Sequence, residues 1–101
     1  MINVIASISV KTGKIPEFLQ IFKTNIPKVR AEKGCIEYIP TVDIDSKLPP
    51  QKFDQNIVTI IEKWESLEAL QNHLKTPHML AYRDKVKNIV EGLSLKVLTE
   101  T

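Results

Sequence analysis

One cysteine, three glycines and one tryptophan occur in 101 residues, and each scarcity excludes something. A lone Cys35 cannot close an intrachain disulfide, which suits a reducing compartment. No sequence neighbour activates it as a nucleophile, so it reads as a buried structural thiol. The glycines Gly13, Gly34 and Gly92 stand singly at turns. There is accordingly no glycine-rich phosphate loop and no nucleotide or flavin fingerprint. No apolar run approaches the ~20 residues that span a bilayer, so no membrane partner is expected. Clustered charge of one sign is missing too. Fourteen basic residues are interleaved with twelve acidic ones for a formal charge of +2. The densest basic stretches, "KVRAEKG" and "RDKVKN", each contain an acid and read as solvated helix faces, not a nucleic-acid surface. "MINVIASISV" has neither a basic lead nor a cleavage site, and a cytoplasmic address is the expectation.

What is present is ordinary for a globular chain, 43% apolar and 26% charged. Its length suits one domain over residues 1–101. Residues 2–10 alternate between apolar and mixed faces, as in a strand. After the turn "KTGK", Ile15, Phe18, Leu19, Phe22, Ile26 and Val29 recur at helical spacing, with Pro16 in the first turn. Pro27 predicts a kink or break near Thr24, and Gly34 a C-terminal stop. "CIEYIPTVDI" reads as a strand that Pro40 confines to an edge or bulge. A polar loop, "DSKLPPQKFDQ", leads to the strand "NIVTIIEKW". Ser66 caps a short helix, and Thr76-Pro77 opens another with Leu80, Val86, Ile89 and Val90 on its apolar side. That helix is expected to stop at Gly92, before a last strand, "LSLKVLTE".

The order βαββααβ predicts an α+β, ferredoxin-like fold: a four-stranded antiparallel sheet with helices on one face. The third strand is apolar on both sides, Val58 and Ile60 pointing one way, Ile57 and Ile61 the other. A bare apolar face is avoided in soluble proteins, which predicts a homodimer of the dimeric α/β-barrel type.

The stretch "IIEKWESLEALQNHLKTPHM" contains the tryptophan and both histidines. Glu62 and Trp64 share one strand face, and the short link through Glu65-Ser66 brings His73 back toward that strand's end. A carboxylate, an indole and an imidazole can meet there around a flat organic substrate. His73 would move a proton and Glu62 would orient the imidazole or raise its pKa. Spacing alone equally allows Trp64 as core, Glu62 as an exposed charge and His73 as a packed structural histidine. His78, Tyr82 and Arg83 either face the same cavity or solvent. Two histidines five apart across a helix break do not form a metal pair, so no metal ligand is assigned.

Together "VKTGKIPEFLQIF", "VRAEKGCIEY" and the E-x-W, S-x-x-A-L, H-L-x-T-P-H order resemble the antibiotic biosynthesis monooxygenase family, small dimeric ferredoxin-like proteins. The resemblance spans nearly the whole chain. Its quinol-monooxygenase-like branch implies oxygenation of a small aromatic or quinol-like substrate by O₂ without a cofactor. His73 and Glu62 would be catalytic there, with Trp64, His78, Tyr82 and Arg83 binding substrate. A second branch implies an isomerase of a small phosphorylated carbonyl compound, and loss of turnover would leave a ligand-binding dimer. A haem-degrading branch carries asparagine, tryptophan and histidine where this chain has Ala6, His73 and Arg83, so haem degradation is not expected. The 45–55 loop is longer than is usual in the family.

Overall fold

Alternation along β1 (Ile2–Val10) buries Val4, Ala6, Ile8 and Val10 beneath the helices and leaves Ile5, Ser7 and Ser9 on the opposite face. A computed structural model describing residues 1–101 shows β1 paired antiparallel with both β3 (Ile57–Trp64) and β4 (Val90–Thr99). β2 (Cys35–Val42) pairs antiparallel with β3, giving the order β2-β3-β1-β4. Between the strands lie α1 (Ile15–Arg30), α2 (Leu67–Leu74) and α3 (Pro77–Val86). This is the expected ferredoxin-like α+β fold. Pro40 lies on the edge strand β2, where a missing N–H costs no ladder bond.

Several local expectations change. Pro27 does not break α1, which continues to Arg30. The carbonyl four residues earlier belongs to exposed Lys23, so water can take the place of the missing donor. The helix ends at Ala31, before Gly34, which instead adopts φ 88° in the turn that enters β2. α3 stops at Val86, and Val90 and Gly92 belong to β4. Its buried residues are Met79 and Val86, while Leu80 is exposed. Leu80 is one residue past Met79, about 100° around the helix, which turns it outward. Cys35 is half-buried, at the strand edge, not within the core.

Helices cover only part of one sheet face. Leu93, Leu95 and Val97 of β4 lie level with Ile8, Ala6 and Val4 on the helix side, yet all three are exposed. On the helix-free face Ile39, Ile61 and Leu98 are also exposed, beside half-buried Ile5 and Ile57. The segment 43–56 has no regular structure. It is pinned internally by Gln51, which donates to the Ile44 carbonyl at 2.8 Å and accepts from the Ser46 N–H at 3.1 Å. Its apolar Ile44, Leu48 and Phe53 point outward. No helix is long and apolar enough to cross a membrane.

Candidate active site

Period-two geometry puts Glu62 and Trp64 on the helix-facing side of β3, opposite Val4 and Ile2 of β1. Tyr38 of β2 stands across from Glu62. The Trp64 side chain is fully buried and Glu62 is 7% exposed. The Trp64 indole N–H donates to Glu62 Oε1 at 2.9 Å. Burial pushes the Glu62 carboxyl up to about 7, the indole bond opposing the rise and the charge of Glu32 adding to it.

His73 arrives on α2, whose start is fixed by the Ser66 hydroxyl accepting from the Ala69 N–H at 3.1 Å. The helix turns Leu70 and His73 inward. The imidazole lies with its centroid 4.6 Å from the Trp64 ring and meets Tyr38 edge-on at 5.5 Å. Its Nδ1 is 3.0 Å from both carboxylate oxygens of Glu32. The same carboxylate lies 2.6 Å from Nε2 of His78. Burial pushes the His73 pKa down, and the hydrogen bond and charge of Glu32 work against that shift. Thr76 ties the two histidine helices together: its hydroxyl donates to the His73 carbonyl at 3.0 Å and accepts from the Met79 N–H at 3.3 Å.

Glu62, His73 and Tyr38 border a cavity of about 270 Å³ between the sheet and the helices. Ala6, Ile8 and Ile60 form its sheet side, and Phe22, Met79 and Val86 its helix side. Into this apolar space face Glu62, His73, Tyr38 and Tyr82, with Arg83 and Lys87 also on the lining. Leu93 and Leu95, which no helix covers, form its β4 side. Burial raises the pKa of both tyrosines, so both hydroxyls stay protonated. Arg83 donates to the Leu74 carbonyl at 2.5 Å, which fixes its guanidinium against the end of α2.

Glu62, His73, Tyr82 and Arg83 therefore share one cavity. Trp64 does not line it. The indole stands behind, packed on the imidazole and holding Glu62 by its N–H. His78 does not line it either, but sits in a groove between α1 and α3 beside Asn25 and Lys28. The carboxylate hydrogen-bonded to His73 is Glu32, not Glu62, whose Oε1 accepts from the indole instead. Spacing missed Glu32 and Tyr38, the former because it lies 41 residues from its partner. The "EKG" turn that carries Glu32 was the only sequence signal. No group of three or more His, Cys, Asp and Glu side chains is arranged to hold a metal ion.

The model of the family described as antibiotic biosynthesis monooxygenase matches residues 1–85. The chain is 36% identical over 100 residues to the probable quinol monooxygenase YgiN of Escherichia coli (strain K12), covering 97% of this chain and 96% of that protein. Among solved structures, a conserved protein from Methanosarcina mazei Go1 superposes with a TM-score of 0.85 at 22% identity, covering 99% of this chain and 92% of that one. Rv0793 from Mycobacterium tuberculosis superposes with a TM-score of 0.82 at 24% identity, covering 99% and 94%. These two likenesses carry the fold. The family match and the sequence relative carry more: the chain belongs to the antibiotic biosynthesis monooxygenase family.

Proposed function

We propose that the protein is a cofactor-independent monooxygenase of a small quinol-like aromatic. The kinship with a probable quinol monooxygenase supports the reaction type. One observation supports the chemistry: His73, its Nδ1 engaged by Glu32, borders a largely apolar cavity. A quinol needs a base more than a cofactor, since its anion is itself the reductant. His73 takes a proton from a substrate hydroxyl, and the electron-rich ring passes electrons to O₂. One oxygen atom enters the ring, which leaves as a hydroxyquinone. The other leaves as water with the two hydrogens lost by the quinol, so atoms and electrons balance. Aromatic walls from Phe22, Tyr38 and Tyr82 suit a flat ring. The largely apolar lining strengthens each polar contact within it.

The working unit is a homodimer joined through the helix-free sheet face, which would cover Ile39, Ile61 and Leu98. The free Cys35 thiol suits a cytoplasmic setting.

A second reading has its own observation. Glu62, with a pKa of about 7, borders the same cavity as His73, and Arg83 and Lys87 supply cations for a phosphate. That set would serve an isomerase of a phosphorylated carbonyl compound. Oxygen uptake with a naphthoquinol, followed by mass spectrometry of product made under ¹⁸O₂, tests the first reading. One ¹⁸O per product, and a kcat lowered ~10²–10⁴-fold in His73→Ala, are expected. No oxygen uptake, with deuterium entering a phosphorylated ketose from D₂O, would replace it with the second.

A further inference from the structure

The reading above uses the contact between Glu32 and His73 Nδ1 but gives the carboxylate itself no task. Glu32 is 10% exposed at its side chain, sits in the turn between α1 and β2, and reaches two histidines on two different helices. Its turn is fixed by the backbone: the Glu32 N–H donates to the Val29 carbonyl at 3.0 Å, and its own carbonyl accepts from the Cys35 N–H at 3.2 Å. His78 holds the carboxylate from one side at 2.6 Å, and His73 Nδ1 spans both oxygens at 3.0 Å.

An ionised carboxylate has only acceptor sites, so a ring nitrogen bonded to it must carry the hydrogen. Neutral histidine has one N–H. If Glu32 fixes that N–H at Nδ1, then Nε2 is left with its lone pair. His73 Nε2 has no partner in the chain, and no buried side-chain nitrogen or oxygen is both sealed off and unpaired. Nε2 is therefore open on a residue that lines the cavity.

We propose that Glu32 is the positioning residue of this site: it holds neutral His73 in the Nδ1–H tautomer, turns a bare Nε2 toward the cavity, and steadies the imidazolium once a proton arrives. His78 serves the same end at one remove, by clamping the carboxylate in place. The catalytic part of this inference rests on the oxygenase reading, whereas the tautomer does not. Charged and titratable neighbours bear on the same imidazole from every side. Glu32 comes from the turn before β2, His78 and Arg83 from α3, while Glu62 of β3 and Cys35 of β2 sense the Glu32 charge.

Nitrogen-15 spectra of the imidazoles test the tautomer without any substrate. In the unaltered protein above pH 7, His73 should show a protonated Nδ1 and a bare Nε2. Glu32→Ala should shift the population toward the Nε2–H form that free histidine prefers. A His73 already protonated at Nε2 in the unaltered protein would overturn the proposal. Naphthoquinol-dependent oxygen uptake tests the consequence. Glu32→Gln keeps the size but not the charge, and should lower kcat ~10²-fold or more while KM stays within about threefold. Glu32→Asp should recover part of that loss, and a melting curve close to the parent would separate positioning from bracing. An unchanged kcat in Glu32→Gln would overturn the catalytic part. If the unaltered protein consumes no oxygen, the oxygenase reading fails and the spectra alone decide the tautomer.

Discussion

The Trp64 indole N–H donates to Glu62 Oε1 at 2.9 Å between two buried side chains that are next neighbours on one face of β3. That single bond does not offset the loss of solvent, and the carboxyl rises from 4.5 to about 7. A carboxyl raised in the folded state favours folding while it is protonated. Its contribution is complete below about pH 4.5 and is lost as pH climbs through about 7. A shift of this size corresponds to about 3 kcal/mol. Glu62→Gln should therefore match the parent at pH 4 and exceed it in stability at pH 8. Buried His73 slopes the other way, because its lowered pKa favours the fold above 6.5 and that contribution fades on acidification through the folded value. Urea melts of parent and variant across pH isolate Glu62, since the histidine is common to both. Parallel curves at all pH values would show that Glu62 is already solvated.

Trp64 supports two neighbours at once, the imidazole by close ring contact at a tilt of 36° and the carboxyl by its N–H. Trp64→Ala should cost ~3–5 kcal/mol through the lost burial of the ring and the cavity left behind. Trp64→Phe fills most of the space but leaves Glu62 Oε1 without its donor. The apparent Glu62 pKa should then rise further, because the indole bond is what lowers it. Carbonyl-¹³C titration of the Glu62 carboxyl in both proteins would read this directly. An unmoved midpoint would mean the bond contributes nothing in solution.

On the helix-free face, Ile61 is 39% exposed beside Ile5 of β1 and Ile39 of β2. Ile61→Glu puts a charge at the centre of the expected dimer surface without touching the helix-side core. Sedimentation velocity at micromolar concentration should give a dimer for the parent and a monomer for the variant. A monomeric parent would refute this use of the face and require another explanation for its apolar character.

The sheet, its edge strand and both short-helix caps were legible because each rests on local signals. Period-two alternation marks β1 and β3, Pro40 marks an edge, and Ser66 and Thr76 mark helix starts. α3 was misread because Leu80 looks like a core residue, whereas Met79 and Val86 are the buried ones. A single helix has no internal reference for which of two adjacent apolar positions faces inward. The convergence of Glu62 and His73 followed from strand parity and a two-residue link. Glu32 did not, because its contact crosses from the end of α1 to α2 and depends on how α1 lies over the sheet. Trp64 and His78 belong to the same surroundings but stand behind the cavity. Residue spacing gives proximity, not the side from which a ring is seen.

Gly34 extends this dependence to a residue with no side chain. A Cβ built there would lie 2.6 Å from the Ala69 Cβ, and its φ of 88° already disfavours an L side chain. The turn bearing Glu32 thus rests directly on the helix bearing His73, two residues along from one contact and four from the other. Gly34→Ala must be relieved by separating them, which lengthens the 3.0 Å contact between carboxylate and imidazole. Ala69→Gly on the opposite side should act as a second-site suppressor. It removes the clashing methyl, so it should restore turnover more fully than it restores melting temperature, the backbone strain at residue 34 remaining at ~1 kcal/mol or more. A double variant no more active than Gly34→Ala alone would show that the two backbones are not in register through this contact. Selection for activity in this protein should accordingly link positions 34 and 69, although neither touches the cavity.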